Sequence, residues 1–366
     1  MPVDLADLPT PALLVDVARC EANIATVAGS FSAAGVALRP HIKTSKCLEV
    51  VRRQYEAGAA GFTCSTPAEV RALGEAGFAG LLWAHQPVGR QKVAFAVDAA
   101  RRWGMTAIVD SRDVAEPLSA HAVDEGIVVS VLLEVDTGHH RTGVIPDRSL
   151  ETARLVASLP GLELDGVLTH EGHLAAYGAD RVGLEAAGRG IGSSLAGVAR
   201  RLSEAGLPCQ VVSVGSTPGL STAPFAPGVT EGRPGTYVFY DANQVRLGST
   251  TIDRCALTVL ARVVSRQRKG QAIIDAGLKA MSSDALTPQV GAGIVCDVTG
   301  VPMADVSFPT ANEEHGFLTG PGADRLQVGD VVRIVPNHAC GTVNMWSRLH
   351  AVSDDSVEQW PVVARH

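Results

Sequence analysis

Residues 35–58 read GVALRPHIKTSKCLEVVRRQYEAG. Val36, Ala37 and Leu38 form a short apolar run, and from Ser45 the pattern turns helical. Between them lies a basic, hydroxyl-bearing connector with two lysines, Lys43 and Lys46. Strand, connector and helix make one βα unit, and the unit recurs along the chain. The runs AGFTCST, GLLWAHQ, TAIVDS, VVSVLLEVD, LDGVLTHEGH, QVVSVGST and GVTEGRPGTYVFYD complete a set of eight candidate strands. Helical patterns such as TPAEVRALGEAG lie between them, with Pro67 suited to a first turn and Gly74 or Gly77 to a last one. Apolar strands that alternate with helices imply a parallel sheet covered on both faces. Eight such units predict a (β/α)8 barrel, with a doubly wound open sheet as the competing arrangement.

After residue 250 the pattern changes. RCALTVLARVVSR, KGQAIIDAG, GAGIVCDVTG, HGFLTG and GDVVRIVPNHACGTV are strand-like and are joined by Gly-, Asp- and Pro-rich turns. An α/β fold is therefore expected: residues 1–250 as a TIM-like barrel, residues 251–366 as an antiparallel β domain. The first ~20 residues have room to pack on that domain.

The chain has 366 residues, 46% hydrophobic and 19% charged, which is enough to bury a core and unlike a disordered sequence. A net charge of -7 without long runs of one sign argues against nucleic acid, which requires a basic face. Seven scattered cysteines suggest reduced thiols and a cytoplasmic location. No signal-like start and no run of ~18 apolar residues is found, so no membrane partner is expected. Small molecules are the expected ligands.

In a barrel of this kind, functional groups gather where strands end. Lys43, Asp136 with Arg141, His170 with His173, Ser216 with Thr217, and Arg233 through Thr236 all stand there. Lys43 is either solvated or held at the barrel mouth, where its amine can condense with a carbonyl. Gly215, Ser216 and Thr217 after the seventh strand, with Gly235 and Thr236 at the eighth, have the makings of a phosphate site. A phosphate site with a strand-end lysine suggests pyridoxal phosphate.

The stretches RPHIKTSK, VDTGHHRTGV, THEGH, VGSTPG, RPGTYVFYD and PNHAC occur in that order. Taken together, they resemble the D-threonine aldolase and D-serine dehydratase family, within the alanine-racemase-like class of pyridoxal phosphate enzymes. The resemblance spans nearly the whole chain. It implies that Lys43 bonds the cofactor, that Arg141 reaches the ring hydroxyl, and that His170 lies against the ring, with Tyr177 in the same pocket. His173 becomes a candidate acid or base, and Arg233 corresponds in position to an arginine that faces the ring nitrogen in alanine racemases. Lys46 is read as a solvated lysine at a helix start, and Asp136, His139 and His140 as loop and cap residues.

His338 and Cys340 stand two apart in PNHACGTVN, a spacing that puts both on one face if the segment is a strand. Two ligands suit an open metal site completed by water and substrate. The resemblance places a metal there; thiolate favours zinc, with manganese or magnesium as alternatives. Family aldolases more often carry a carboxylate at the second position, so Cys340 points toward a dehydratase. Glu313, Glu314 and His315 in NEEHG either face the site or cap a strand.

These residues imply a lyase for a D-3-hydroxy amino acid such as D-serine, D-threonine or a hydroxyaspartate. Lys43 would take the α-proton and the metal would assist loss of the 3-hydroxyl, giving a 2-oxo acid and ammonia. The alternative is retro-aldol cleavage to glycine and an aldehyde, with His173 as base. An amino-acid racemase pairing Lys43 with a β-domain tyrosine is a third reading, and a non-catalytic cofactor carrier a fourth. Relatives imply a homodimer.

Overall fold

The computed structural model describes residues 5–282 and 290–365. By internal contacts they group into two units. One comprises the chain up to Ala25, the stretch Thr44–Val50, and Thr236–Arg365; the other comprises Thr26–Lys43 and Val51–Gly235.

The second unit is the barrel. Among the described residues its strands are Ala37–Leu38, Phe62–Cys64, Leu81–Trp83, Ala107–Val109, Val129–Glu134, Leu162–Leu168, Val211–Val214 and Glu231–Gly232. All pair in parallel with their sequence neighbours. Single bridges, His41 to Thr63 and Leu82 to Thr106, join the short early strands. Pairing of Ala37–Leu38 with Glu231–Gly232 closes the ring, so no edge is left open. Closure rules out the open doubly wound sheet.

The intervening helices follow ordinary start and stop chemistry. Pro67–Glu75 begins with Pro67 in its first turn and Thr66 as cap, whose hydroxyl accepts from the Glu69 amide at 3.2 Å. Gly77, with φ +85°, follows its end. Gly74 instead lies inside the helix beneath the Trp103 ring, where a Cβ would come within 2.3 Å of that ring. The helix Arg181–Glu204 starts well before GIGSSLAG, capped by Asp180, whose carboxylate accepts from the Gly183 amide at 2.9 Å.

Leu82, Ile108, Leu132 and Leu168 pack as an apolar layer inside the barrel. Elsewhere the interior is charged: Arg39 donates to Glu231 at 2.6 Å, Ser213 donates to the other Glu231 oxygen at 2.5 Å, and Arg233 donates to Ser213. Buried charges persist only when paired in this way.

The first unit carries the β domain. Its spine is Leu257–Arg268, paired antiparallel with Ala12–Asp16, Gln271–Ile274 and Val331–Pro336. Arg348–Val352 pairs with Ala12–Asp16 in parallel, so the sheet is mixed rather than wholly antiparallel. The sequence reading did not include Ala12–Asp16, Ser307–Ala311, Arg348–Val352 or Val357–Pro361 as strands. Ala12, Leu14 and Leu260 anchor the apolar face of the sheet.

Candidate active site

The barrel contains a cavity of about 370 Å³, lined from seven of its eight strand ends, while the end of Ala107–Val109 stands one hydrogen bond behind the wall. In strand order these are His41 and Lys43, Ser65, His85 and Gln86, then Asp110 through its bond to Gln86. Glu134 with Arg141, His170, Gly215 and Arg233 complete the circuit. Of the residues picked from sequence, Lys43, Arg141, His170, Gly215 and Arg233 line this cavity. Lys43 is half-buried, in the turn that follows His41.

His170 is held on one side. Its Nδ1 is 2.6 Å from the Gly215 carbonyl oxygen, so the ring donates there. Burial pushes its pKa down to about 3, helped by Lys43, Arg141 and Arg233 and opposed by the bond to Gly215. The imidazole is therefore neutral at neutral pH. His41, missed in sequence, is also lowered well below the usual value, chiefly by burial and then by Lys43, Arg233 and His170. The Lys43 amide donates to His41 Nδ1 at 3.4 Å, which leaves the Nε2 proton for Ser65 Oγ at 3.3 Å.

Arg141 projects, half-exposed, from a loop that Asp136 organises. The Asp136 carboxylate accepts from the amides of Gly138, His139 and His140 at 2.9, 2.8 and 3.1 Å. Burial alone would raise this carboxyl, but the three amide donors outweigh it and hold it low. The capping reading of Asp136 thus matches the geometry. His139 does more than the loop reading proposed. Its ring lies 5.4 Å from His170 and is stacked on His173 at 6.0 Å, centroid to centroid. Gly172 makes room for the cluster, because a Cβ there would stand 2.9 Å from both His139 and His170. Burial, then His139, lowers the His173 pKa, and its Nδ1 has no partner among the described residues.

Arg233 is fully enclosed and donates to the Thr169 carbonyl at 2.6 Å as well as to Ser213. Burial acts against its charge, while Glu231, Glu171 and Glu134 support it. Gly215 sits against it; a Cβ there would lie 2.8 Å from the Arg233 Cβ. The Gly215 amide is not available as a phosphate donor, since it donates to Glu171 at 2.8 Å. Ser216 Oγ accepts from the Gly219 amide at 3.0 Å and keeps its own proton to give. Thr217 Oγ is buried without a partner among the described residues, as a hydroxyl awaiting an anion would be. Gly235 is buried at the end of the eighth unit. Tyr177 ends a 3-10 turn, 39% exposed, and is not among the lining residues, contrary to the sequence reading.

The remaining picks lie in the other unit. Thr236 opens a 3-10 turn, with its hydroxyl 3.8 Å from Cys340 Sγ. His338 and Cys340 are not on a strand. Val331–Pro336 ends first, His338 is the N-cap of the helix Ala339–Asn344, and Cys340 lies in its first turn. The alternation that would put both on one face does not apply. The loop is pinned instead: Asn337 donates to the Gly291 carbonyl and accepts from Arg246, and Asp241 accepts from the Ala339 amide at 2.9 Å. Thr44 Oγ lies 3.0 Å from Cys340 Sγ. Among the described residues no group of three His, Cys, Asp or Glu is gathered to hold an ion. The imidazole and the thiol are donors of the right chemistry for a two-ligand site and not for a closed one.

Two other readings change. Lys46 is buried, not solvated: its ammonium donates to the Ala364 carbonyl at 2.7 Å, and its backbone has φ +43°. NEEHG forms the turn between Ser307–Ala311 and Gly316–Thr319. There Glu314 pairs with exposed Lys279 at 2.8 Å, and the carbonyl of Glu313 accepts from the Lys279 amide. Asn312 accepts at its carbonyl from Leu278 and donates to His315.

Residues 15–243 match the alanine racemase N-terminal domain, and residues 256–352 match a putative serine dehydratase domain. The chain belongs to the alanine-racemase-like family. It is 38% identical to the D-threo-3-hydroxyaspartate dehydratase of Delftia sp. (strain HT23), over 97% of both proteins. It is 32% identical to a D-threonine aldolase of an Arthrobacter species, over 99% of this chain and 94% of the other. Two solved structures of a D-threo-3-hydroxyaspartate dehydratase superpose with TM-scores of 0.93 and 37% identity. They cover 99% and 98% of this chain, and 96% and 98% of theirs. One is a histidine-to-alanine variant. The other, altered two positions further on, is a cysteine-to-alanine variant in the metal-free form. Among the described residues no helix is long and apolar enough to cross a membrane.

Proposed function

We propose that this family member is a lyase dependent on pyridoxal phosphate and a divalent metal. It would dehydrate a D-3-hydroxy amino acid of the D-serine or 3-hydroxyaspartate kind to a 2-oxo acid and ammonia. The observation that carries the reading is Lys43 in a polar cavity beside a neutral histidine and two arginines, in a chain alike over its full length to a hydroxyaspartate dehydratase. The residues present fit the cofactor: one amine, an unpaired buried hydroxyl at Thr217, and a glycine loop that a side chain would close. Lys43, Arg141, His170, Ser216, Thr217, Arg233, Gly235 and Thr236 would hold it, and His338 with Cys340 would hold the ion. When bound, the cofactor is an electron sink for charge at the α-carbon and the metal a Lewis acid for the 3-hydroxyl.

The chain's own groups do the rest. Lys43 Nζ takes the α-proton. His170, with Nδ1–H committed to Gly215, offers an uncharged ring face and keeps its own proton. Arg141 and Arg233 bring positive charge to the cavity, and Arg233 keeps it through its three carboxylate neighbours. The unit of Thr26–Lys43 and Val51–Gly235 would serve as the cofactor-binding barrel, and the unit that holds Thr236–Arg365 as the metal-bearing domain, a boundary some fifteen residues before the expected one at residue 250. Zinc is the metal best suited to a thiolate, and a cytoplasmic homodimer is the working form the resemblance implies.

A retro-aldol cleavage to glycine and an aldehyde is the second reading. His173 favours it: a neutral ring with an unpaired nitrogen, stacked on His139, suits a base for the 3-hydroxyl proton. Cys340 favours dehydration, because the cysteine altered in the metal-free dehydratase follows a histidine by the same two positions. Incubation with D-threo-3-hydroxyaspartate, D-serine and D-threonine, with assay of 2-oxo acid against glycine, tests the reading. A 2-oxo acid and ammonia are expected. Glycine as the main product would overturn the dehydratase assignment.

A further inference from the structure

Glu171 enters the chemistry above only as one of the three acidic groups beside Arg233, and its own environment is costly. The side chain is fully buried at the end of the sixth barrel strand, between His170 and Gly172. Its Oε2 accepts the Gly215 amide proton at 2.8 Å. Its Oε1 has no partner among the described residues. A buried carboxyl with one oxygen unsatisfied lowers stability, so retention of this group needs a reason beyond packing.

The neighbouring bonds suggest what it does. His170 and Glu171, adjacent in the chain, grip the same residue from opposite sides: the imidazole donates to the Gly215 carbonyl and the carboxyl accepts from the Gly215 amide. Gly215 opens the turn Gly215–Gly219, which contains the hydroxyls of Ser216 and Thr217. At the other end of the turn, Glu171 Oε1 and Ser216 Oγ would each lie 3.2 Å from a Cβ on Gly219. One side chain thus bonds the first residue of this five-residue segment and stands close beside the last. We propose that Glu171 is a positioning residue for the cofactor's phosphate, holding the Gly215–Gly219 turn in the shape that presents Ser216 and Thr217 to the anion. The role rests on the reading that this turn receives the phosphate.

Burial raises the Glu171 carboxyl to about 7, with Arg233 and the Gly215 amide pulling the other way. The group is therefore part-protonated near neutrality. A carboxylic acid or an amide serves the clamp as well as a carboxylate does, because each keeps a carbonyl oxygen for the Gly215 amide. Charge is not what the position requires; reach is.

The test compares two probes, pyridoxal phosphate and pyridoxal, which differ only in the phosphate. Apoprotein is titrated with each while visible absorbance is followed, in wild type, Glu171→Gln, Glu171→Asp and Glu171→Ala. Wild type is expected to prefer pyridoxal phosphate, and Glu171→Gln to keep that preference within about threefold. Glu171→Ala and Glu171→Asp, the second charged but one methylene short, should cut the preference about tenfold and leave pyridoxal affinity unchanged. A tenfold change corresponds to ~1.4 kcal/mol, the scale of one hydrogen bond. Full preference in the alanine and aspartate variants would overturn the proposal, as would equal weakening toward both probes. A wild type that does not distinguish the probes would instead overturn the phosphate reading itself.

Discussion

Acid should destabilise the apoprotein through His170 in a way that one substitution removes. The ring titrates near 3 in the fold, against about 6.5 for an unperturbed histidine. Between those values the unfolded chain binds a proton that the folded chain refuses, so stability falls as the pH falls through that window. From about pH 7.5 upward the ring is almost wholly neutral in both states and contributes little slope. At pH 5 the unfolded imidazole is almost fully protonated and the folded one is not, a difference of about 2 kcal/mol. For a chain of 366 residues that corresponds to a Tm lower by roughly 2–3 °C. His170→Asn removes the titration and keeps an N–H for the Gly215 carbonyl. Thermal melts of wild type and variant at pH 7.5 and 5.0 give the comparison. The variant should lose roughly 2–3 °C less on acidification. Equal losses in the two proteins would show that His170 is not held neutral by burial, and the account of its ring as an uncharged partner would fail with it.

Three other outcomes follow from the geometry. Lys43→Ala should abolish the visible absorption of bound cofactor, whereas Lys46→Ala should keep it and lose about 2 kcal/mol of stability in denaturant melts, since a buried ammonium bonded to Ala364 is removed. Chelation should abolish turnover and leave the cofactor absorption intact; full turnover in a chelated sample would exclude the metal role. Gly172→Ala drives a methyl to 2.9 Å from His139 and His170, so kcat should fall between about tenfold and a hundredfold with the cofactor still bound. Unchanged kcat would mean that the three-histidine arrangement is not needed.

The eight barrel strands were legible because each is an apolar run closed by a polar connector, and the polar ends fall on one rim once the ring closes. Lys43, Arg141, His170 and Arg233 could be picked for that reason. Other features depend on contacts between distant positions. The first ~20 residues are expected to have room on the β domain, but that Ala12–Asp16 is a strand between Leu257–Arg268 and Arg348–Val352 depends on partners hundreds of residues away. Lys46 looks like a solvated helix-start lysine, and the Ala364 carbonyl that accepts from its buried ammonium lies hundreds of residues away in sequence.

Local pattern, therefore, determined which segments form strands and which residues end them, since side-chain period and turn chemistry act over a few residues. It also determined the family through the order of six short motifs. Tertiary structure decided the rest: that His338 caps a helix instead of sharing a strand face with Cys340, that His139 stacks on His173 and meets His170 edge-on, and that Glu171 holds Gly215. These are properties of groups brought together by closure of the barrel and pairing of the sheet, and hydrogen bonds and burial act on distance in space, to which spacing along the chain is blind.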